Sequence, residues 1–266
     1  MPYAPGSGYG VTKHTYRTGY WKGSTMKVGM GKPALVRLAS ALVLLIAASA
    51  CGVENPVSTI QTDRQSVEQG AASTATVRID MASGTLNLTD GSSKLMDATF
   101  QYNTPDWKPQ VTYEVTGTAG LLSLVQPVDR NNLLTSNGIY DWEIRLGGHV
   151  PVDLELRLGL GKATLDLSRL KVSSLDMKLG SGGVEANLGG NYETDVGAHI
   201  TGGVGNFTLR LGHRMATRVT VKGNLGKVTV LGLTQEGNTY TNSKESPRTL
   251  NVEIERGIGE ITLDGR

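Results

Sequence analysis

The sequence predicts an all-β protein, a single-stranded parallel β-solenoid (β-helix) with coils of about 20 residues that follows a signal peptide and a flexible tether. Three observations predict this fold. Apolar and polar residues alternate along many short segments, paired glycines separate neighbouring segments, and the combination recurs as far as residue 266. A period of two is typical of half-buried strands, and glycine allows corners that a side chain would strain.

The clearest unit spans residues 152–167, in which two alternating strands flank the corner Gly159-Leu160-Gly161. Aligned on the second glycine of that corner, later units follow at intervals of 21, 23, 21 and 33 residues, and two earlier segments fit more loosely. The predicted structural corners are Gly84, Gly120, Gly161, Gly182, Gly205, Gly226 and Gly259. Because a unit of this length cannot bury its apolar face alone, the units must stack on one another.

Stacking in chain order predicts one outward column of mostly β-branched side chains. Its members are Thr164, Glu185, Thr208, Thr229 and Thr262. We expect residues 75–150 to form an irregular N-terminal part of the domain, residues 151–266 to form the regular coils, and residues 235–247 to be an inserted loop. An antiparallel β-sandwich is the alternative fold, since it also uses short alternating strands with glycine turns. The regular glycine register favours the solenoid.

The N-terminal 50 residues are predicted to be a signal region. They contain six Lys and Arg but no Asp or Glu, and the apolar run 41–47 precedes small residues and Cys51. This order is typical of a secretory signal, and the run is too short to span a bilayer. We expect translation to begin at Met26 or Met30, which gives a signal of ordinary length. Residues 51–74 are polar without periodicity and predict a tether.

The residues Ala48-Ser49-Ala50-Cys51 resemble the lipobox of bacterial lipoproteins, although that family usually has Leu where Ala48 stands. The resemblance implies that Cys51 is acylated, for example with palmitate, and becomes the mature N-terminus. It therefore implies a membrane-anchored protein on the extracytoplasmic side of the cell envelope. Because Gly52 follows the cysteine, the family's sorting pattern implies the outer membrane in a two-membrane bacterium. An ordinary signal peptide that happens to precede a cysteine is the alternative.

The net charge argues against a nucleic-acid partner. The whole chain carries a formal charge of +2, but without the signal region 20 Lys and Arg stand against 24 Asp and Glu, a charge of about −4. The basic character belongs to the signal region, so it is no electrostatic footprint of nucleic-acid binding.

Two segments together resemble the bacterial toast-rack domain. Residues 83–115 look like its N-terminal part, and residues 142–188 are similar to its central signature. In that signature a Trp-containing strand leads into a Pro-x-Asp-Leu strand, a Gly-x-Gly corner and an Asp-Leu-Ser-x-Leu turn. The resemblance covers residues 77–266 and implies a stacked β-solenoid without known catalysis. Related domains occur in membrane proteins that respond to cell-wall-active antibiotics, some of which restrain an envelope-stress kinase. This chain is predicted to have a lipid anchor instead of transmembrane helices. The resemblance therefore implies the envelope location but not the kinase-restraining role.

Residues with catalytic or metal-binding chemistry are sparse. No two of the histidines His14, His149, His199 and His213 have metal-ligand spacing, and Cys51 is the single cysteine. We therefore predict no metal and no cofactor. The glycine corners lack the strand-to-helix context of a nucleotide site, so they are interpreted as turns.

A few carboxylates keep an enzymatic alternative open, because β-solenoids also host polysaccharide-cleaving enzymes. Asp166 and Asp264 are expected in one outward column with Asn187 and Arg210 between them, and Glu185 lies on the same face. Paired carboxylates serve glycoside cleavage, but charges on a sheet face also serve solubility and edge protection.

Trp107 and Trp142 lie in excursions from the regular coils and are candidate contacts for a sugar or a protein partner, with simple packing as the alternative. The sequence thus predicts a non-catalytic, lipid-anchored envelope protein that acts as a scaffold or as a binding module for an envelope protein or a cell-wall glycan, with a role in envelope-stress sensing. The alternatives are a polysaccharide-acting β-helix enzyme and a self-associating surface protein.

Overall fold

Strands dominate the computed structural model, which describes residues 59–127, 138–223 and 225–266. The predicted signal region and Cys51 lie outside the described residues. One short 3-10 helix, Pro105–Trp107, interrupts the strands. The strands are β1 Gln61–Val67, β2 Thr74–Asp90, β3 Met96–Tyr102, β4 Gln110–Thr116, β5 Ala119–Val125, β6 Tyr140–Leu146, β7 Val152–Asp166, β8 Val172–Asn187, β9 Val196–Val204, β10 Phe207–Arg210, β11 Ala216–Lys222, β12 Val228–Leu231, β13 Thr234–Glu236, β14 Thr239–Thr241, β15 Thr249–Ile258 and β16 Ile261–Asp264.

Each coil consists of one strand segment before a glycine corner and one after it. β2, β7 and β8 run through the corner, whereas the pairs β9–β10, β15–β16 and β11–β12 divide there. We call the segments before the corner face A and the segments after it face B. Alternate residues on both faces are buried, such as Val77 and Ile79 on face A and Leu86 and Leu88 on face B, and all belong to one core cluster. The predicted all-β stack of parallel coils is therefore confirmed.

The coils do not stack in chain order. Face A runs β5-β2-β7-β8-β9-β15-β11, and face B runs β6-β2-β7-β8-β10-β16-β12. The coil of residues 249–264 therefore lies between the coils of residues 196–210 and 216–231. The predicted outward column forms, but Thr262 stands between Thr208 and Thr229. The predicted order of the coils was therefore wrong. The connection between residues 231 and 249 is long enough for the chain to place its last coil between the two coils that precede it in sequence.

Antiparallel strands extend both ends of the stack. β4 pairs with β5, β3 pairs with β6, and β1 pairs with β3, while β14 pairs with β11 and β13 pairs with β14 at the other end. β1 falls within the predicted tether 51–74, so that tether prediction was too long. The predicted loop 235–247 likewise contains most of the β13–β14 hairpin. Both segments are polar and exposed, and they pair through their backbones, which leaves little apolar alternation to recognise.

The corner glycines stack into a column in which neighbouring backbones touch. Gly84, Gly161, Gly182, Gly205 and Gly259 have φ angles between +136° and +148°. A Cβ on Gly182 would overlap the carbonyl oxygen of Gly161, and the same holds for Gly161 above Gly84. Strand neighbours lie about 4.8 Å apart, so the carbonyl of one coil occupies the space of a side chain on the next.

Two of the predicted corner glycines differ from the others. Gly226 lies in the column, against the carbonyl of Gly259, but lacks a positive φ. Gly120 lies inside β5 opposite Ala75, so its prediction as a corner was wrong.

Replacing Gly182 with alanine is expected to destabilise the fold by about 2–4 kcal/mol, since it combines a strained φ with an overlap against backbone. Gly183→Ala is the matched control, because Gly183 has no positive φ and the nearest atom to an added Cβ is the Asn206 oxygen at 3.9 Å. Thermal or urea unfolding measures both variants. Equal stability of the two would contradict the close approach at the corner.

The Ser66 hydroxyl on β1 is expected to keep the pKa of Asp97 on β3 low. The Ser66 hydroxyl donates to Asp97 Oδ1 at 2.5 Å and the Ser92 hydroxyl donates to Oδ2 at 2.7 Å, and these bonds hold the pKa of Asp97 below its ordinary value. A lowered carboxyl pKa contributes stability above the unfolded value, and this stability is lost as the pH falls through the folded value. In Ser66→Ala the pKa of Asp97 should rise, as NMR titration of its carboxyl group would show. The control Ser93→Ala, at an exposed neighbouring position, should leave that pKa unchanged.

Candidate functional site

Both tryptophans predicted as ligand contacts are buried. Trp142 is 0% exposed and Trp107 is 5% exposed. The Trp142 ring lies 5.1 Å from Phe100 at a steep angle of 74°, and Tyr140 packs between the two tryptophans at 5.5 and 5.7 Å. The Tyr140 hydroxyl donates to the Trp107 carbonyl at 2.6 Å, and burial raises the pKa of Tyr140. Prediction of a ligand contact here was wrong, because these rings form a structural cluster in the core.

A shallow trough crosses the outer surface of face A along β9. We define the trough by the outward residues of that strand, Gly197, His199 and Thr201. Gly197 supplies no side chain, and a methyl group added there would meet nothing within 4 Å. A cavity of about 630 Å³ lies over this part of the sheet. Its lining includes Ser174 and Asp176 from β8, Asn251 and Glu253 from β15, and Arg218, Thr220 and Lys222 from β11.

The banks of the trough carry charges of both signs. Lys222 forms an ion pair with Glu253, and its hydrogen bond holds the pKa of that carboxyl below the ordinary value. On the other bank, Lys178 lies 3.7 Å from Asp176. Within the described residues, Arg218 has no ion pair and no side-chain hydrogen bond. The trough therefore offers donors and acceptors to a ligand without a strong field of either sign.

Four carboxyl groups on the surface are stabilised in the charged form by neighbouring side chains. Asp97, Glu155, Glu253 and Asp264 have lowered pKa values, in each case chiefly because a neighbouring side chain donates a hydrogen bond. For Glu155 the donor is Arg78, at 2.8 Å. A general acid in glycoside cleavage needs a raised pKa. These four groups are therefore poorly suited to acid catalysis.

The pair of carboxylates that kept the enzymatic alternative open is too widely separated. The strand register places Asp166, Asn187, Arg210 and Asp264 in one column, as expected. Asp166 and Asp264 are three strand spacings apart, about 14 Å. Glycosidase carboxylates lie within about 10 Å of each other. This column suits a polar surface better than a hydrolytic centre.

An exposed apolar ridge runs along the corners and was missed by the sequence analysis. We define it as Val204, Ile258 and Leu225, the middle residues of three neighbouring corners, of which the first two are Gly-x-Gly and the third ends in Gly226. Val204 and Ile258 are 53% exposed and Leu225 is 72% exposed. For Val204 and Ile258 the signal was present in the sequence, because a glycine flanks each of them on both sides and the residue between the glycines faces outward.

The described part of the chain holds no cluster of three or more His, Cys, Asp or Glu side chains suited to a metal ion. His149 and His213 are exposed at turns, and His199 lies in the trough with Nε2 3.2 Å from the Thr201 hydroxyl. Across residues 59–127, 138–223 and 225–266 no helix has the length and apolar character needed to cross a membrane.

Comparison with known proteins identifies the fold family. A structure from Clostridium sporogenes, described as a "putative cell adhesion protein", is 29% identical with a TM-score of 0.72 and covers 78% of this chain and 100% of that one. A "putative adhesin" from Bacteroides fragilis is 12% identical with a TM-score of 0.31, covering 78% and 98%. No curated protein matches significantly. The model of the N-terminal domain of toast_rack matches residues 56–210, more than half of the sequence. The chain belongs to the toast-rack family.

Proposed function

We propose that this protein is a lipid-anchored, non-catalytic module of the bacterial cell envelope that binds a cell-wall glycan along the trough on face A. The trough is the observation on which the proposal rests, because it combines a missing side chain at Gly197 with polar banks on both sides. Through this contact with the wall, the module takes part in adhesion and in envelope-stress sensing.

The geometry of the trough suits an extended polymer. Its lining extends from β8 across β9 and β15 to β11, so a ligand chain can cross the strands from Ser174 to Arg218. Cell-wall glycans carry hydroxyl, amide and carboxylate groups. Arg218 and Asn251 can donate to such oxygens, while Asp176 and Ser174 can accept from hydroxyl and amide groups. The trough is built on paired strands rather than loops, which keeps these groups in fixed positions.

Similarity to a solved structure supports a surface role. The Clostridium sporogenes structure matches along its full length and is described as a "putative cell adhesion protein". The lipobox resemblance at Cys51 supplies the anchor that such a role needs, since a module that acts at the wall must be retained outside the membrane. A single acyl chain binds membranes only marginally, so stable retention needs more than one chain on the mature N-terminus.

The anchor is tested by expressing the full chain and Cys51→Ala in a bacterial host. We expect the mature protein to begin at Cys51, to carry the mass of acyl chains and to partition into detergent, and we expect the variant to lose both properties. Intact mass and Triton X-114 phase partitioning are the measurements. Thr59→Ala, in the same polar segment, should behave like the parent chain. An unacylated parent protein would remove the anchor from the proposal.

The trough is tested with Gly197→Gln, which fills it without overlap because nothing lies within 4 Å of an added Cβ. Co-sedimentation with purified peptidoglycan sacculi should show at least a tenfold loss of affinity, roughly 1.4 kcal/mol. Thr208→Gln makes a comparable change in the outward column of face B and should bind like the parent. If both variants sediment equally with the sacculi, the trough is not the binding surface.

A further inference from the structure

The two faces end unevenly at the far end of the stack. On face A the last coil strand, β11, is followed by β14 and β13. On face B the corresponding strand, β12, pairs with β16 and with no other strand among those described. Face B therefore stops two strands short of face A, and one edge of β12 has no neighbour within the described residues.

Hydrogen-bond geometry shows which backbone groups this edge offers. The Lys227 carbonyl accepts from the Ile261 N–H at 2.9 Å, and the Leu231 carbonyl accepts from the Gly265 N–H at 2.8 Å. In a parallel ladder, alternate residues of a strand bond to the same neighbour. Thr229 therefore also bonds towards β16. The N–H and C=O groups of Val228 and Val230 are directed to the open edge.

The side chains along β12 are incompletely covered. Val228 and Val230 occupy core-facing positions, yet both are only half-buried, whereas their partners Ile261 and Leu263 in β16 are 0% exposed. The apolar ridge, whose most exposed member is Leu225, lies directly before this strand. An unpaired strand edge beside exposed apolar side chains is a recognised site for the addition of another strand.

Charge and sequence indicate which kind of strand could pair with the open edge of β12. Lys227, at the start of β12, is exposed and has no ion pair within the described part of the molecule. On its paired side β12 already accepts β16, which has the sequence Ile-Thr-Leu-Asp and follows Glu260. A strand that suits β12 thus alternates apolar and hydroxyl-bearing residues and brings an acidic residue near Lys227.

We propose that the open edge of β12 binds an extended peptide segment of a partner protein, which alternates apolar side chains next to an acidic residue and becomes an additional strand of face B. The backbone groups of Val228 and Val230 supply the hydrogen bonds, and the core-facing side chains of the peptide cover these two valines. The added strand lies opposite β14 across the core. This site is separate from the trough and does not depend on glycan binding.

The test uses the full chain carrying Cys51→Ala, labelled with nitrogen-15, and a synthetic peptide with the sequence of residues 257–266. Upon titration we expect the amide signals of Val228 and Val230 to shift, whereas those of Thr229 and Leu231, which bond to β16, shift less. The control peptide is methylated on two consecutive backbone nitrogens, at the positions of Ile261 and Thr262. Alternate N–H groups of a strand face the same neighbour, so one of the two methyl groups faces β12 whichever residues pair. It should cause shifts at least tenfold smaller.

A protein variant provides a second readout. Val230→Pro removes an N–H that faces the open edge and so leaves the bonds to β16 in place. The peptide should no longer shift Val228 in this variant. The proposal is overturned if the unmodified peptide causes no shifts at β12, or if the Val228 and Val230 amides are protected from hydrogen exchange before peptide is added. It is also overturned if the protein is a dimer that Val230→Pro dissociates, because a second copy would then occupy the edge.

Discussion

The structure depends on how closely the coil backbones approach one another at the corners. A Cβ at Gly161, Gly182 or Gly205 would overlap the carbonyl oxygen of the preceding coil. Where a corner also has a first glycine, that residue is confined in the same way, as Gly180 against Gly159 shows. Because each coil bends at this line, its two halves can face each other across one core. The same contact aligns the coils, so it sets the register of both faces at once.

Register at the corner in turn shapes the outer surface. Once the corners are aligned, residues at equal distance from them must fall into columns, and the surface of face A can be read as rows of side chains. The trough arises because the row of β9 presents Gly197, which has no side chain, next to His199 and Thr201, between the polar and charged rows of β8 and β15. The apolar ridge has the same origin, since the middle residues of neighbouring corners fall into one column on the outer surface.

Local patterns in the sequence predicted the repeated unit but not its long-range arrangement. The alternation and the glycine spacing predicted the coils, the columns and the five corner glycines that have strained φ angles. The order of the last two coils depends on where a long connection leads, and β1 pairs through its backbone with a polar sequence, so neither leaves a local signal. Trp142 is different, because it alternates with Ile144 and Leu146 in β6, and that pattern already indicated a buried ring. Because Trp142 was interpreted as part of an excursion from the regular coils, its alternation with buried residues was overlooked.

The two ends of the stack have different physical characters. At one end β1, β3 and β4 extend the sheet, and the cluster around Trp142 fills the core beneath them. At the other end a hairpin extends face A alone, and one edge of β12 has no partner strand among the described residues. Along face B, β1 and β12 are separated by eight strand steps, about 38 Å. The open edge of β12 therefore lies at the end of the stack opposite to β1. The trough lies two strands from β11, the last coil strand of face A, and the cavity over it extends to Arg218 on β11. The trough and the open edge of β12 are thus both closer to this end of the stack than to the end that β1 extends.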